Sequence, residues 1–229
     1  MTQSDTEAEI PPPQPAATVI VLHDGAGGLE TLLLRRDARG AFAGMWVFPG
    51  GRVGIRGVDP SAPGDELAAA RRAASREARE EAGLELDPEE FVPFAHWLPP
   101  PIVPRRFSTW FFAVRSLSGD VVVDGGEIHE HAWLTPAGAL ARHVAGELQL
   151  APPTWVTLWE LATHETVDDV LEAARAREPE HYATRPLQID GVAVLTWHGD
   201  AAYESGVDAP GPRHRLWMVD GGWRYDRSS

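Results

Sequence analysis

Short apolar runs separated by glycine and proline set the pattern of this chain. Thr18 to Leu22 and Glu30 to Arg35 flank Asp24-Gly25-Ala26-Gly27-Gly28, which predicts a β-hairpin. Trp46 to Phe48 predicts a short third strand, and the glycine- and proline-punctuated stretch from Gly50 to Gly64 predicts a loop. From Asp65 to Ala82 alanine, arginine and glutamate dominate and Gly83 follows, so a helix with a glycine stop is expected there. Phe107 to Arg115, Val121 to Val123 and Ala132 to Leu134 read as three more strands. Pro136 opens a helix to about Ala145, since proline suits a first helical turn. Pro153 to Thr163 and Val167 to Arg177 read as helices, and Val192 to Trp197 and Arg215 to Val219 as strands.

Met1 to Ala17 is acidic and carries Pro11, Pro12, Pro13 and Pro15 with little to bury, so it predicts a disordered tail. Residues 18–229 are expected to form a single domain, with a core over 18–146 and a C-terminal extension of helices and strands over 147–229. That extension either adds to the main sheet or makes a small subdomain. Trp46, Trp110 and Trp133 fall on strands and predict packing, while Trp155 and Trp159, one helical turn apart, predict a buried stripe.

Composition removes several chemistries. The 229 residues are 43% hydrophobic and 24% charged, in the ordinary globular range. No cysteine is present, so disulfides and thiolate nucleophiles are excluded. All 20 basic side chains are arginine, which excludes Schiff-base lysines and the lysine-dependent phosphate loop. Nucleophile-elbow serine catalysis is disfavoured, because no Gly-x-Ser-x-Gly occurs. The 34 acidic residues leave a net charge of -14, which opposes a nucleic-acid polymer or an anionic membrane. A small phosphorylated ligand remains compatible, because a divalent cation reverses the field locally. The longest clean apolar stretch near the N-terminus is Val19 to Leu22, preceded by no basic leader, so a cytoplasmic protein is expected.

The candidate chemistry lies at the end of the first helix. At 100° per residue Glu77 and Glu81 stand one turn apart on one face, with Glu80 flanking them. Two readings follow. Either the carboxylates form a solvated face paired with Arg72, Arg76 and Arg79, or they hold a hard divalent cation such as Mg²⁺.

The spacing Arg76-Glu77-Ala78-Arg79-Glu80-Glu81-Ala82-Gly83-Leu84, preceded by Phe48-Pro49-Gly50-Gly51, resembles the box of the Nudix hydrolase family. The resemblance implies an α+β fold, an α/β/α sandwich around a mixed sheet. It also implies an enzyme that hydrolyses a diphosphate joined to another moiety with Mg²⁺ or Mn²⁺. Carried over by position, Glu77, Glu80 and Glu81 are metal ligands, Arg76 orients them, and the Gly50 carbonyl completes the metal shell. The partner implied is a small-molecule diphosphate, with a homodimer left open as the assembly.

One position departs from the family pattern. Eight residues before Arg76, where that pattern has a glutamate, stands Ala68, and the loop from Gly51 to Gly64 is longer than the usual box allows. Asp65 or Glu66 could substitute; the alternative is that Asp65 only caps the helix. A catalytically silent ligand-binding module is the second expectation.

Leu32-Leu33-Leu34-Arg35-Arg36, the stretch Phe42 to Phe48 and Gly50-Gly51-Arg52-Val53 resemble the branch that includes coenzyme A diphosphatases. Glu127 to Pro136 and Pro152-Pro153-Thr154 extend the likeness. Glu127 and Glu80 are alternative bases for activating water, and Glu81 shares the catalytic cluster. Arg35, Arg36, Arg52, Arg105 and Arg106, together with the Gly51 backbone, are candidates for phosphate recognition. His129 and His131 have the spacing of a metal pair on a strand, but no third ligand is placed beside them, and satisfied or exposed histidines are the reading adopted.

Overall fold

Alternation along two strands decides which face of the sheet each helix covers. The computed structural model describes residues 11–37, 43–54, 65–103, 105–117, 120–123 and 125–228, and gives no side-chain placement for Asp65. Most of the lengthened loop, part of the tail and Phe42 therefore lie outside the described residues, as does the side chain of Asp65 proposed as a cap or ligand. In strand β1 (Gln14–Gly25) Ala17, Val19 and Val21 point to one side, and Ile20 and Leu22 to the other. Strand β2 (Gly28–Arg36) divides likewise, Leu32 and Leu34 against Leu33.

Helix α1 (Asp65–Ala82) covers the first face with Ala70, Ala73, Ala74, Ala78 and Ala82. These small side chains let the helix approach the sheet closely, and its polar residues are left for the opposite flank. Gly83 ends the helix at φ +68, donating to Arg79 O. The other face is covered by α2 (Pro136–Val144), α3 (Pro152–Leu161) and α4 (Val167–Arg175). The expected sandwich is thus the fold observed.

The main sheet is mixed. Strand β1 runs parallel to β6 (Phe107–Arg115), which pairs antiparallel with β5 (Val92–Leu98), which in turn pairs parallel with β8 (Glu180–Ala183). The expected hairpin is present over Leu22–Gly25 and Gly28–Thr31. Beyond it β1 and β2 part. Into the fork enter β3 (Trp46–Val47), paired to β2, and β4 (Gly50–Arg52), paired to β1. Strand β7 (Ile128–Leu134) takes the outer edge of β2. A second, antiparallel sheet of β9 (Arg185–Ile189), β10 (Val192–Thr196), β11 (Arg213–Trp217) and β12 (Arg224–Ser228) closes the chain. Its Trp197, Leu216 and Tyr225 share one buried cluster with Trp97, Tyr182 and Trp155 of the main sheet and its helices.

Several boundaries differ from expectation. Strand β1 begins at Gln14, within the stretch expected to be a disordered tail, because pairing with Phe107–Trp110 buries Ala16 and Ala17. Gly50–Arg52, expected in a loop, is a strand because the fork supplies an unpaired edge of β1. Val121 to Val123 is not a strand; Val122 N–H instead donates to Ala82 O at 3.0 Å and covers the end of α1. Trp155 is buried, but Trp159 is 37% exposed and packs edge-on against Tyr225.

Inside the second sheet a histidine gives the fold a pH dependence. His214 is 4% exposed, its Nδ1 lies 2.8 Å from His198 O, and burial holds its pKa below the ordinary value. Arg227 adds to that lowering, while His198 O, Glu180 and Asp200 oppose it. Folding therefore favours neutral imidazole. The contribution is whole above the unfolded pKa of about 6.5 and is lost as the pH falls through the lower folded value. The unfolding temperature should fall between about pH 7 and 5, and less so in His214→Asn after its own offset is subtracted. Parallel pH profiles for the two proteins would refute the assignment.

Candidate active site

The fork between β1 and β2 builds the site. Because β4 fills it, Pro49 O accepts from Val19 N–H at 2.9 Å and the Gly50-Gly51 backbone lies under the last two turns of α1. A side chain at Gly50 would place its Cβ 2.6 Å from Ala17 O and 2.8 Å from Thr18 Cα. At Gly51 the Cβ would run into the Glu77 carboxylate. Both positions are crowded, but by different neighbours.

That difference predicts a split outcome. Gly50→Ala meets rigid backbone and should lose stability by about 1–3 kcal/mol. Gly51→Ala meets only the end of a flexible side chain, so the fold should survive while Glu77 is displaced. Its kcat/KM should fall about 100-fold, with circular dichroism and unfolding temperature near wild type. Unchanged kcat/KM in folded Gly51→Ala would show that the position of Glu77 is immaterial.

One arginine fixes two of the carboxylates. Arg76 donates through NH1 to Glu80 at 2.8 Å, and through NH2 to Glu77 Oε1 at 2.6 Å and Arg52 O at 3.1 Å. It ties the helix to β4 and holds Glu77 over Gly51. Burial alone would lower the guanidinium pKa, but Glu77 and Glu80 raise it above the ordinary value, so the side chain stays charged.

Glu81 occupies the interior of the site. It is only 5% exposed, accepts from Gly50 N–H at 2.9 Å and lies 3.5 Å from Arg36 NH1. Burial pushes its pKa up to about 7, with Glu77 and Glu127 adding to the rise and Gly50 N–H and Arg36 opposing it. Arg36 also donates to Glu127 at 2.9 Å, so one guanidinium joins the helix carboxylate to the loop before β7.

The donor set of three carboxylates and a nearby backbone carbonyl suits a hard divalent cation. Glu81 also supplies what such a site needs, a buried carboxylate with like charges beside it. As they stand, among the described residues no three acidic or histidine side chains converge on one ligating position. Glu77 and Glu80 face Arg76, and Glu81 faces Gly50 N–H and Arg36.

The remaining candidates disperse. Arg35 pairs with Glu130 at 3.1 Å, Arg106 donates to Pro99 O at 3.3 Å, and the Arg52 guanidinium lies over the Phe107 ring. Arg105 is exposed in the loop before β6. Glu66, three turns before Glu77, accepts from Trp110 Nε1 at 3.4 Å, and Ala68 is partly buried. His129 lies 3.4 Å from Asp37, and its ring is half exposed. Sequence reasoning treated Arg36 only as a phosphate ligand and missed its bridge between Glu81 and Glu127. Its adjacency to Arg35 carried no signal of this, because the bridge depends on the parting of β1 and β2.

Comparison with known proteins places the fold. A profile of the NUDIX domain matches residues 12–153. A NUDIX hydrolase from Alicyclobacillus acidocaldarius is similar in structure, with TM-score 0.62 and 23% identity over 70% of this chain and 96% of that one. A MutT NUDIX hydrolase from Burkholderia pseudomallei gives TM-score 0.49 and 20% identity over 65% of this chain and 98% of that one. The NUDIX domain of Shewanella oneidensis NrtR, solved with ADP ribose, gives 0.49 and 14% over 70% and 92%. No curated protein sequence matches. With 142 residues matched from 12 to 153, more than half of its length, the chain belongs to the NUDIX domain family.

Proposed function

We propose that this protein is a Mg²⁺- or Mn²⁺-dependent hydrolase cleaving the diphosphate of a nucleoside diphosphate linked to another moiety. The observation that carries the reading is the gathering of Glu77, Glu80 and Glu81 around Gly50 and Gly51, with Arg76 holding two of them. Glu77, Glu80, Glu81 and the Gly50 carbonyl would hold the cation, which when bound neutralises the diphosphate and polarises the attacking water. Arg76 keeps Glu77 and Glu80 in position, and Arg36 sets the distance between Glu81 and Glu127. Glu127, 71% exposed in its side chain, or Glu80 takes the water proton as phosphorus is attacked in line.

Coenzyme A or an acyl-coenzyme A is the substrate proposed, on the resemblance around Arg35-Arg36 and Gly50-Gly51-Arg52. With no lysine in the chain, an arginine must meet the 3'-phosphate, and exposed Arg105 suits that part better than Arg106, which is turned to Pro99 O. A net charge of -14 supports a small substrate over a nucleic-acid polymer, and the reading places the protein in the cytoplasm. Among the described residues no helix is long and apolar enough to cross a membrane.

The test is incubation with Mg²⁺ and acyl-coenzyme A, nucleotide sugars, dinucleoside polyphosphates or ADP-ribose, with products resolved by mass. Cleavage at a diphosphate is expected. Binding without turnover across the panel would favour the silent module instead. Equal kcat/KM for coenzyme A and dephospho-coenzyme A would remove the coenzyme A assignment alone.

A further inference from the structure

A second constellation lies on β5 and β8, at the opposite edge of the sheet from β7 and two strands from β1. His96 and His181 are directly paired across these parallel strands, so both side chains leave the same face. Their Nδ1 atoms are 3.1 Å apart. Nitrogens this close share one proton, and at least one presents a lone pair to the other. The His96 Nε2 atom is 2.7 Å from Ser108 Oγ, and its ring stacks on Trp110 at 4.5 Å. Trp110 is in turn held by Glu66 of α1. One imidazole is therefore locked through its far nitrogen and its ring face, while the other, His181, is exposed at the surface.

We propose that His96 and His181 form a binding site for a late first-row divalent metal such as Zn²⁺, Cu²⁺ or Ni²⁺, separate from the carboxylates of the box. Imidazole nitrogens bound to tetrahedral zinc at about 2.0–2.1 Å stand about 3.3 Å apart, so replacing the shared proton by a metal requires only a small opening of the pair. Such ions favour imidazole, whereas Mg²⁺ favours the oxygen donors of the box. Ser108 is a positioning residue: by accepting from His96 Nε2–H it would leave His96 Nδ1 free to ligate. Water completes the coordination, and the exposure of His181 gives the ion its path in. The proposal does not depend on the diphosphatase reading.

Cu²⁺ titrated into the full chain, with Mg²⁺ in excess to occupy the box, tests it by electron paramagnetic resonance. One equivalent with hyperfine structure from two nitrogens is expected. His181→Asn, at an exposed position, should abolish that signal while leaving the unfolding temperature near wild type. Ser108→Ala should weaken binding about 10-fold, an effect that mere loss of packing would not confine to copper affinity. His129→Asn should leave the signal intact. Copper that persists undiminished in His181→Asn, or that disappears in His129→Asn, would overturn the site.

Discussion

Glu81→Gln is expected to lower turnover by about 10²–10⁴-fold while leaving the protein at least as stable as wild type. The two effects share one cause. Glu81 is a buried carboxylate whose pKa burial pushes up to about 7, so its charge opposes the fold near neutral pH. Glutamine keeps the shape and can still accept from Gly50 N–H through its amide oxygen, but it cannot supply a charged metal ligand. A variant that is inactive and no less stable marks a residue retained for chemistry at a cost to stability. Thermal unfolding and steady-state kinetics on one preparation give both readings. Full activity would sink the role of Glu81, and inactivity through unfolding would show a structural one.

Asp200→Ala should be the most destabilising single change in the second sheet, by about 3–5 kcal/mol. Asp200 and Arg215 have fully buried side chains, with Arg215 Nε and NH2 donating to the two Asp200 oxygens at 2.7 and 2.6 Å. Asp200 also accepts from the backbone N–H of His214 and Ala202. Burial by itself would raise the Asp200 pKa, yet Arg215 and these two donors hold it below the usual carboxylate range. Removing Asp200 leaves a buried guanidinium with its remaining partner, Asp208, at 2.8 Å. An unfolding temperature lower by about 10 °C or more is expected. Asp208→Asn, at a side chain 40% exposed, should cost much less. Equal losses from the two variants would contradict this ordering.

How much of the fold was legible depended on whether local chemistry alone specified an element. Helix α1 was readable to the residue, because alanines on one face, charges on the other and a left-handed glycine at Gly83 all agree. The hairpin was readable from its glycine turn. Strands β5 and β9 escaped because each carries a proline, and β12 because only Tyr225 is buried in it. Val121 to Val123 misled through β-branched propensity, which packing against the end of α1 overrode.

The site divided in the same way. Helical spacing puts Glu77 and Glu81 on one face with Glu80 flanking, which leaves a solvated face and a metal site both open. Only the resemblance to the box singles them out as ligands. Arg36 and Glu127 are 91 residues apart and meet through the pairing of β2 with β7, a register that local sequence does not encode. The crowding at Gly50 and Gly51 follows from the fork, which sets Gly50 against the backbone of β1 and Gly51 against Glu77.

Mn²⁺ binding, followed by electron paramagnetic resonance in wild type and in Glu81→Gln, tests metal capture by the box most directly. Wild-type protein should bind Mn²⁺ and the variant at least about 10-fold more weakly, because a charged oxygen ligand is gone. Equal affinity in the two folded proteins would contradict a metal held by these glutamates.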